Sequence, residues 1–149
     1  MKTYEIGCKI LMGTGIIFIL IGIYAVLFNN TPFYIIDWIM DPSFWGNETL
    51  SKGTLDFKIF TWDFLGMFHI IWGVNIFYVV KYGLMKRKEA WAWKCIAISV
   101  VTWLLVDVYF TFTVKHNSFL LVTIFFAALF IIPLIMTRDA LNMTKSAKV

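Results

Sequence analysis

Four long apolar runs constrain this chain more than any other feature of its sequence. They cover residues 10–28, 59–80, 95–114 and 119–137, and the first and last of them contain no charged residue. Each run is close to the roughly 20 residues that a helix needs to cross about 30 Å of hydrocarbon. The runs do not alternate as strands would, and a backbone without water must bond to itself. Each run is therefore predicted to be a transmembrane helix.

The composition agrees with this interpretation. Of the 149 residues, 60% are apolar and 15% are charged, whereas soluble domains have about 45–50% and about 25%. A chain of this length makes one domain. No basic amphipathic stripe is present, so nucleic acid is not a predicted partner. The predicted fold class is all-α: a four-helix transmembrane bundle formed as a single domain over residues 1–149, with an outer loop over residues 29–58.

The positive charges indicate an orientation. Ten of the 13 Lys and Arg residues flank the runs on one side, and Lys52, Lys58 and Lys115 lie on the other. Connections rich in Lys and Arg stay on the cytoplasmic side. The chain is therefore predicted to be a multi-pass protein of the cell membrane, with the N-terminal and C-terminal flanks both cytoplasmic. The lipid bilayer is its first predicted partner.

The outer loop contains a second pattern, over residues 32–41. Pro32 suits the first position of a helix, and Pro42 ends the run. At 100° per residue, Ile35, Ile36 and Ile39 fall on one face, while the aspartates fall on the other. This pattern predicts a short amphipathic helix lying in the outer interface of the membrane, as a lid on the bundle or as a gate facing lipid.

Two pairs of glycines have the same spacing. Gly15 and Gly22 are seven residues apart in the first run, as are Gly66 and Gly73 in the second. Seven residues are close to two helical turns, so each pair shares one helix face. Small residues on one face let a neighbouring helix approach closely. The spacing predicts that the first two helices pack against each other.

Ionisable residues inside the runs require an explanation. An Asp near the centre of a membrane helix costs about 2.5–3.5 kcal/mol on insertion scales. Asp63 and His69 lie in the second run, and Asp107 lies in the third on a stripe with Trp103. By helix rise, Asp107 is intermediate in depth between Asp63 and His69. The sequence thus predicts one polar site in the outer half of the bundle, in which His69 and Asp107 pair more easily than all three.

Two interpretations of this site are open. The polar groups could hold helices together by hydrogen bonds, worth about 0.6 kcal/mol each on average. They could also form a ligand-binding or proton-linked site, the usual hypothesis for intramembrane ionisable residues. For Asp63 and for Asn75, the second run's amide, the first interpretation is preferred.

Motifs for catalysis and cofactors are not recognisable. There is no H-E-x-x-H zinc motif, no G-x-S-x-G nucleophile motif and no C-x-x-C pair. Cys8 and Cys95 are both predicted near the cytoplasmic face, where thiols stay reduced. No catalytic residue and no metal ligand is predicted, the cofactor is left unknown, and a protein without enzymatic activity is preferred.

One stretch resembles a known group. The segment Lys86-Arg87-Lys88-Glu89-Ala90-Trp91-Ala92-Trp93 opens the third run, which contains Trp103 and Asp107. Trp72-Gly73 precedes it, and Pro133-Leu134 with Thr137-Arg138 closes the fourth run. From about Phe60 to Leu141, the chain resembles a loose group of small, uncharacterised prokaryotic integral membrane proteins with four spans. The resemblance implies the same topology and points to Trp103 and Asp107, but it implies no activity.

Three functions remain as hypotheses. The preferred one is a membrane protein that binds a small lipid-like or quinone-like molecule in the outer half of the bundle, through Asp107, His69, Asp63 and Trp103. The second is an accessory or scaffold subunit that contacts another membrane protein and binds no ligand. The third is a proton-coupled transporter that acts as a homo-oligomer, because four helices alone make a thin pathway.

Overall fold

A computed structural model describes residues 2–31, 35, 51–114 and 117–138, and 92% of these residues are helical. Within them the chain forms four α-helices and no strand. The helices are α1 (Lys2–Phe28), α2 (Lys52–Tyr78), α3 (Ala90–Val114) and α4 (Asn117–Met136), and a π-helical segment, Val79–Lys86, continues α2. The all-α class predicted from the apolar runs is confirmed.

Among the residues that the structure describes, three helices are long and apolar enough to cross a membrane. They are Lys2–Phe28, Lys52–Lys86 and the Ala90–Tyr109 part of α3, while the Val122–Met136 part of α4 is apolar but shorter. The helices extend beyond the predicted spans: α1 begins eight residues before residue 10, and α2 begins seven residues before residue 59. This difference is expected, because helical hydrogen bonding does not stop where the apolar run stops.

The chain divides into two compact units, and α1 and α2 contribute to both. The first unit comprises Met1–Ile16 and Val74–Val149. In it, the hydroxyl of Tyr4 donates to Leu84 O at 2.9 Å, and Trp93 Nε1 donates to Leu134 O at 2.9 Å. Each bond joins a side chain of one element to the backbone of another. These contacts tie the start of α1 to the π-helical segment, and α3 to α4.

Pro133 interrupts the hydrogen bonding of α4. Proline has no backbone N–H, so the carbonyl four residues earlier, that of Leu129, loses its intrahelical donor. The hydroxyl of Thr14, a buried residue of α1, lies 3.5 Å from Leu129 O and 3.0 Å from Ile10 O of its own helix. Threonine hydroxyls are among the groups that satisfy backbone freed by proline in membrane helices. This contact joins α1 to α4 at the proline.

The second unit, Ile17–Gly73, contains a close approach of α1 and α2. A Cβ atom placed on Gly66 would lie 2.8 Å from Gly22 O, and one placed on Gly22 would clash with Gly66 O. The two backbones thus approach at a distance that only glycine permits. The predicted packing of the first two helices is confirmed at Gly22 and Gly66.

The connection from α2 to α3 is short. The π-helical segment ends at Lys86, and the backbone N–H groups of Lys88 and Glu89 donate to Leu84 O and Gly83 O at 3.1 and 2.9 Å. Lys88 has a φ of 53°, a left-handed conformation that is uncommon outside glycine. The chain therefore reverses within three residues, Arg87 to Glu89, before α3 begins.

Two further predictions concern the cysteines and the outer loop. Cys8 and Cys95 are both free thiols; the first is buried and the second is exposed. The amphipathic helix predicted over residues 32–41 lies outside the described residues, apart from Ile35. The backbone N–H of Ile35 donates to the hydroxyl of Tyr24 at 2.8 Å.

Candidate functional site

The end of α1 and the start of α2 form a polar cluster of three residues: Asn29, Lys58 and Asp63. The Asn29 side chain donates from Nδ2 to Asp63 Oδ1 at 2.7 Å. The backbone oxygen of Asn29 accepts from Lys58 Nζ at 2.8 Å. One asparagine thus links a carboxyl group and an ammonium group of α2.

Two of the three residues of the polar cluster are well shielded from solvent, and Asp63 is half-buried. Asn29 is 1% exposed and Lys58 is 7% exposed. Lysine is almost never this buried unless its ammonium group is paired. Asn29 follows α1 directly, and its backbone N–H donates to Ala25 O at 3.2 Å, which fixes its position at the helix end. The helix end therefore presents both a carbonyl and an amide to α2.

His69 lies six residues beyond Asp63 on α2, about 9 Å along the axis. It is half-buried, and its Nδ1 is 2.7 Å from Leu65 O. Its ring stacks on Phe18 with centroids 5.5 Å apart, and Trp72 contacts the same Phe18 edge-on at 4.8 Å. His69 thus belongs to an aromatic group on α1 and α2. Asp63 and His69 both contact α1, although the helical wheel separates them by about 120°.

Asp107 is bonded to a side chain of the next helix. Thr123 Oγ1, on α4, donates to Asp107 Oδ2 on α3. Thr123 is buried, Asp107 is half-buried, and Trp103, one turn earlier on α3, is also half-buried. The hydrogen bond joins the two helices of a hairpin through their polar groups. It is the kind of interhelical contact predicted by the first of the two interpretations.

The four predicted site residues fall in different units. Asp63 and His69 belong to the second unit, while Trp103 and Asp107 belong to the first. The structure brings Asp63 to Asn29, His69 to Phe18, and Asp107 to Thr123. The pairing of His69 with Asp107 stays a prediction.

Sequence reasoning missed four partners in these contacts: Phe18, Asn29, Lys58 and Thr123. Thr123 had a visible signal, because residues 107 and 123 are equidistant from residue 115, in the predicted turn. An antiparallel hairpin brings such positions to the same depth. Asn29 was signalled only by its place at the end of the first run. Lys58 was counted among the outer positive charges, and its burial had no signal in the pattern.

An exposed row of phenylalanines runs along the first part of α2. Phe57, Phe60, Phe64 and Phe68 recur every three or four residues along α2, and all four are exposed. The rings of Phe60 and Phe64 stack with centroids 6.1 Å apart, and those of Phe64 and Phe68 meet edge-on at 4.7 Å. This phenylalanine ladder gives α2 a continuous aromatic face. Lys58 and Asp63 lie within the same stretch of the helix.

The described residues contain no group of three or more His, Cys, Asp and Glu side chains that could hold a metal ion. No protein-family model, curated protein or solved structure matches the chain. The resemblance to small four-span membrane proteins stays a prediction.

Proposed function

We propose that this chain is a four-span integral membrane protein of the cell membrane, with both terminal flanks cytoplasmic. Three helices are apolar and long enough to span, and α4, with 20 residues, has about the length needed for a fourth. The asymmetry of Lys and Arg supports the orientation. The proposal includes the interfacial helix over residues 32–41, which follows the end of α1.

We further propose that the protein binds one small lipid-like or quinone-like molecule in the outer half of the membrane, without catalysing a reaction. The observation that carries this proposal is the position of the polar cluster on the same stretch of α2 as the phenylalanine ladder. An amphiphile needs polar partners for its head group and an apolar face for its ring or chain, and this part of α2 offers both.

The chemistry of the cluster suits a ligand that accepts hydrogen bonds. The ammonium group of Lys58 is a hydrogen-bond donor, and it donates to Asn29 O at 2.8 Å. A quinone carbonyl or a phosphate oxygen is an acceptor of the matching kind. The aromatic rings of Phe18, His69 and Trp72 lie further along the same pair of helices and would form the inner wall. In this proposal Asp107 and Trp103 support the bundle.

The test is purification from native membranes in mild detergent, followed by native mass spectrometry of the protein and its bound molecules. We expect a retained small molecule at about one per chain, and we expect Lys58→Met to lose it. Lys52→Met is the matched control, because Lys52 lies on the same helix and is exposed. Absence of any retained molecule from the wild type, or equal loss in both variants, would contradict the proposal.

One observation favours the second hypothesis, the accessory subunit. The phenylalanine ladder is exposed over four positions and could pack against a helix of another membrane protein. A stoichiometric protein that co-purifies with the wild type but not with Phe60→Ala/Phe64→Ala would support this function. Proton-coupled transport stays a prediction, and proton-dependent flux in liposomes would support it.

A further inference from the structure

A groove lies where the π-helical segment meets the start of α3. Its volume is about 240 Å³, and it is lined by Tyr78, Val79, Tyr82, Gly83, Arg87 and Trp91. Pockets for drug-sized ligands usually have about 300–1,000 Å³. The groove is therefore too small for a whole lipid but has room for a head group. We name it the basic groove because of the charges around it.

Gly83 lets the groove form. A Cβ atom on Gly83 would clash with the Cβ of Ala92. The backbone of the π-helical segment therefore packs directly against a side chain of α3 at this position. Both residues are buried. Tyr82 and Trp91 both line the groove, and their rings form its aromatic walls. π-Helical segments are rare and occur frequently at functional sites.

Cations gather around one of these walls. Lys86 Nζ lies 4.8 Å from the centroid of the Tyr82 ring, and Lys81 Nζ lies 5.6 Å from the same centroid. Both distances are within the range of cation–π attraction. Arg87 lines the groove itself and is largely exposed. Two ammonium groups therefore lie near one aromatic wall of the groove, and one guanidinium group lines it.

The single acidic residue beside the groove does not cancel this charge. Glu89 lies 3.9 Å from Arg87, but the Arg87 side chain is 73% exposed, and exposed pairs are worth little. Glu89 also accepts a hydrogen bond from Trp91 Nε1, which holds the indole in place as a wall. From residue 81 to residue 89 the chain carries four basic residues and one acidic residue, so the net charge is +3.

We propose that the basic groove binds the head group of an anionic phospholipid at the cytoplasmic surface of the membrane. The charge favours an anion, and a guanidinium group can bind a phosphate through two parallel hydrogen bonds. The aromatic walls suit the interface, where Tyr and Trp are enriched. The inference requires the membrane location but not the ligand proposed at the polar cluster, since the two sites share no residue.

The apolar surface next to the groove favours a membrane lipid over a soluble anion as the ligand. The groove continues directly from the apolar stretch of α2, and Tyr78 at its rim is 55% exposed. A head group held there would leave its acyl chains beside an apolar helix surface. A soluble phosphate would use the charges but none of that surface.

The test compares two triple variants of the full chain, purified and incorporated into nanodiscs that contain equal parts phosphatidylglycerol and phosphatidylcholine. Lys81→Gln/Lys86→Gln/Arg87→Gln removes the charges of the groove. Lys2→Gln/Lys9→Gln/Arg138→Gln removes two Lys and one Arg from exposed sites elsewhere on the predicted cytoplasmic side. Native mass spectrometry counts the phosphatidylglycerol that each protein retains on release into detergent.

We expect the wild type and the control triple variant to retain phosphatidylglycerol in preference to phosphatidylcholine. In the groove triple variant this preference should fall at least about tenfold, since each basic residue near an anionic surface contributes about fivefold to the binding constant. Trp91→Ala, which keeps every charge, should lose part of it. Equal losses in the two triples would show diffuse charge attraction and overturn the proposal. So would displacement of the retained lipid by millimolar inorganic phosphate, which would show a site for soluble anions. If the ligand at the polar cluster is absent but phosphatidylglycerol is still retained, only the proposed function fails.

Discussion

The hydroxyl of Thr14 lies 3.5 Å from Leu129 O, the carbonyl that Pro133 deprives of its intrahelical donor. This contact joins Thr14 of α1 to the backbone of α4 four residues before Pro133. The stabilisation that this contact provides therefore depends on Pro133, because without the proline Leu129 O would accept a hydrogen bond from an amide of its own helix.

Replacing Thr14 with Val is expected to lower the free energy of unfolding by about 0.6 kcal/mol, the average for such bonds in membrane proteins. In a Pro133→Ala background the loss should shrink, since the substituted residue would supply a backbone amide to Leu129 O. A double-mutant cycle of unfolding in detergent measures this difference. Thr61→Val is the control, because the Thr61 hydroxyl donates to Phe57 O within its own helix. Strictly additive effects of Thr14→Val and Pro133→Ala would contradict the expected dependence.

The hydrogen bond between Thr123 and Asp107 is expected to be worth more than an average interhelical bond, because a carboxylate acceptor strengthens it. Thr123→Val and Asp107→Asn should therefore show a coupling energy of about 1 kcal/mol in a double-mutant cycle of thermal stability. The same measurement on Asp107→Asn with His69→Gln tests the pairing predicted from the sequence. Additivity there, with coupling between Asp107 and Thr123, would reduce the predicted shared site to a hydrogen bond between α3 and α4.

Gly22→Ala is expected to destabilise the protein by about 1–3 kcal/mol, the usual cost of inserting a methyl group into tight packing. The added Cβ would meet Gly66 O and lie 2.7 Å from Ile70 Cγ1. Gly13→Ala, on the same helix, is the matched control, since nothing lies within 4 Å of its Cβ position. That variant should be neutral or slightly stabilising, because Ala favours the helix over Gly. Resistance to unfolding by detergent compares the two, and equal stability would argue against the close approach.

The orientation is tested by labelling cysteines in intact cells, in a chain whose Cys8 and Cys95 are replaced by Ala. Gly53→Cys should react with an impermeant thiol reagent, and its Cβ position has nothing within 4 Å. Thr3→Cys and Ser146→Cys should react only after the cells are opened. Ser51 is less suitable as a labelling site, because its hydroxyl accepts from Thr54 N at 3.2 Å and caps α2. Labelling of the terminal cysteines in intact cells would contradict the proposed orientation and place both terminal flanks outside.

The sequence predicted those parts of the fold that follow from periodicity and length. The apolar runs gave the helices, and the glycine spacing gave the approach of α1 to α2. The ends of the helices were less predictable, because charged residues such as Lys2 and Lys52 continue a helix once its interior is formed. Hydropathy measures the apolar part of a helix and does not measure its full length.

The candidate site was less predictable than the fold, since it depends on which backbone groups need partners. Lys58 resembles any interfacial lysine until the end of α1 places the Asn29 carbonyl within 2.8 Å of it. The sequence around Thr14 does not indicate that its hydroxyl contacts another helix. The carbonyl that it contacts loses its intrahelical donor because of a proline 119 positions later in the chain. Partners of this kind follow from tertiary contacts, which a single sequence does not reveal.

The bond between Thr123 and Asp107 also bears on how the chain is made. The two residues are 16 positions apart, so at about 5–20 residues per second Thr123 is synthesised roughly one to three seconds after Asp107. During that interval α3 would enter the bilayer with its aspartate still lacking the hydroxyl. Delaying the insertion of α3 until α4 follows removes this difficulty. Biosynthesis should therefore favour insertion of α3 and α4 together as a hairpin, and a released chain truncated before residue 123 should leave α3 poorly inserted.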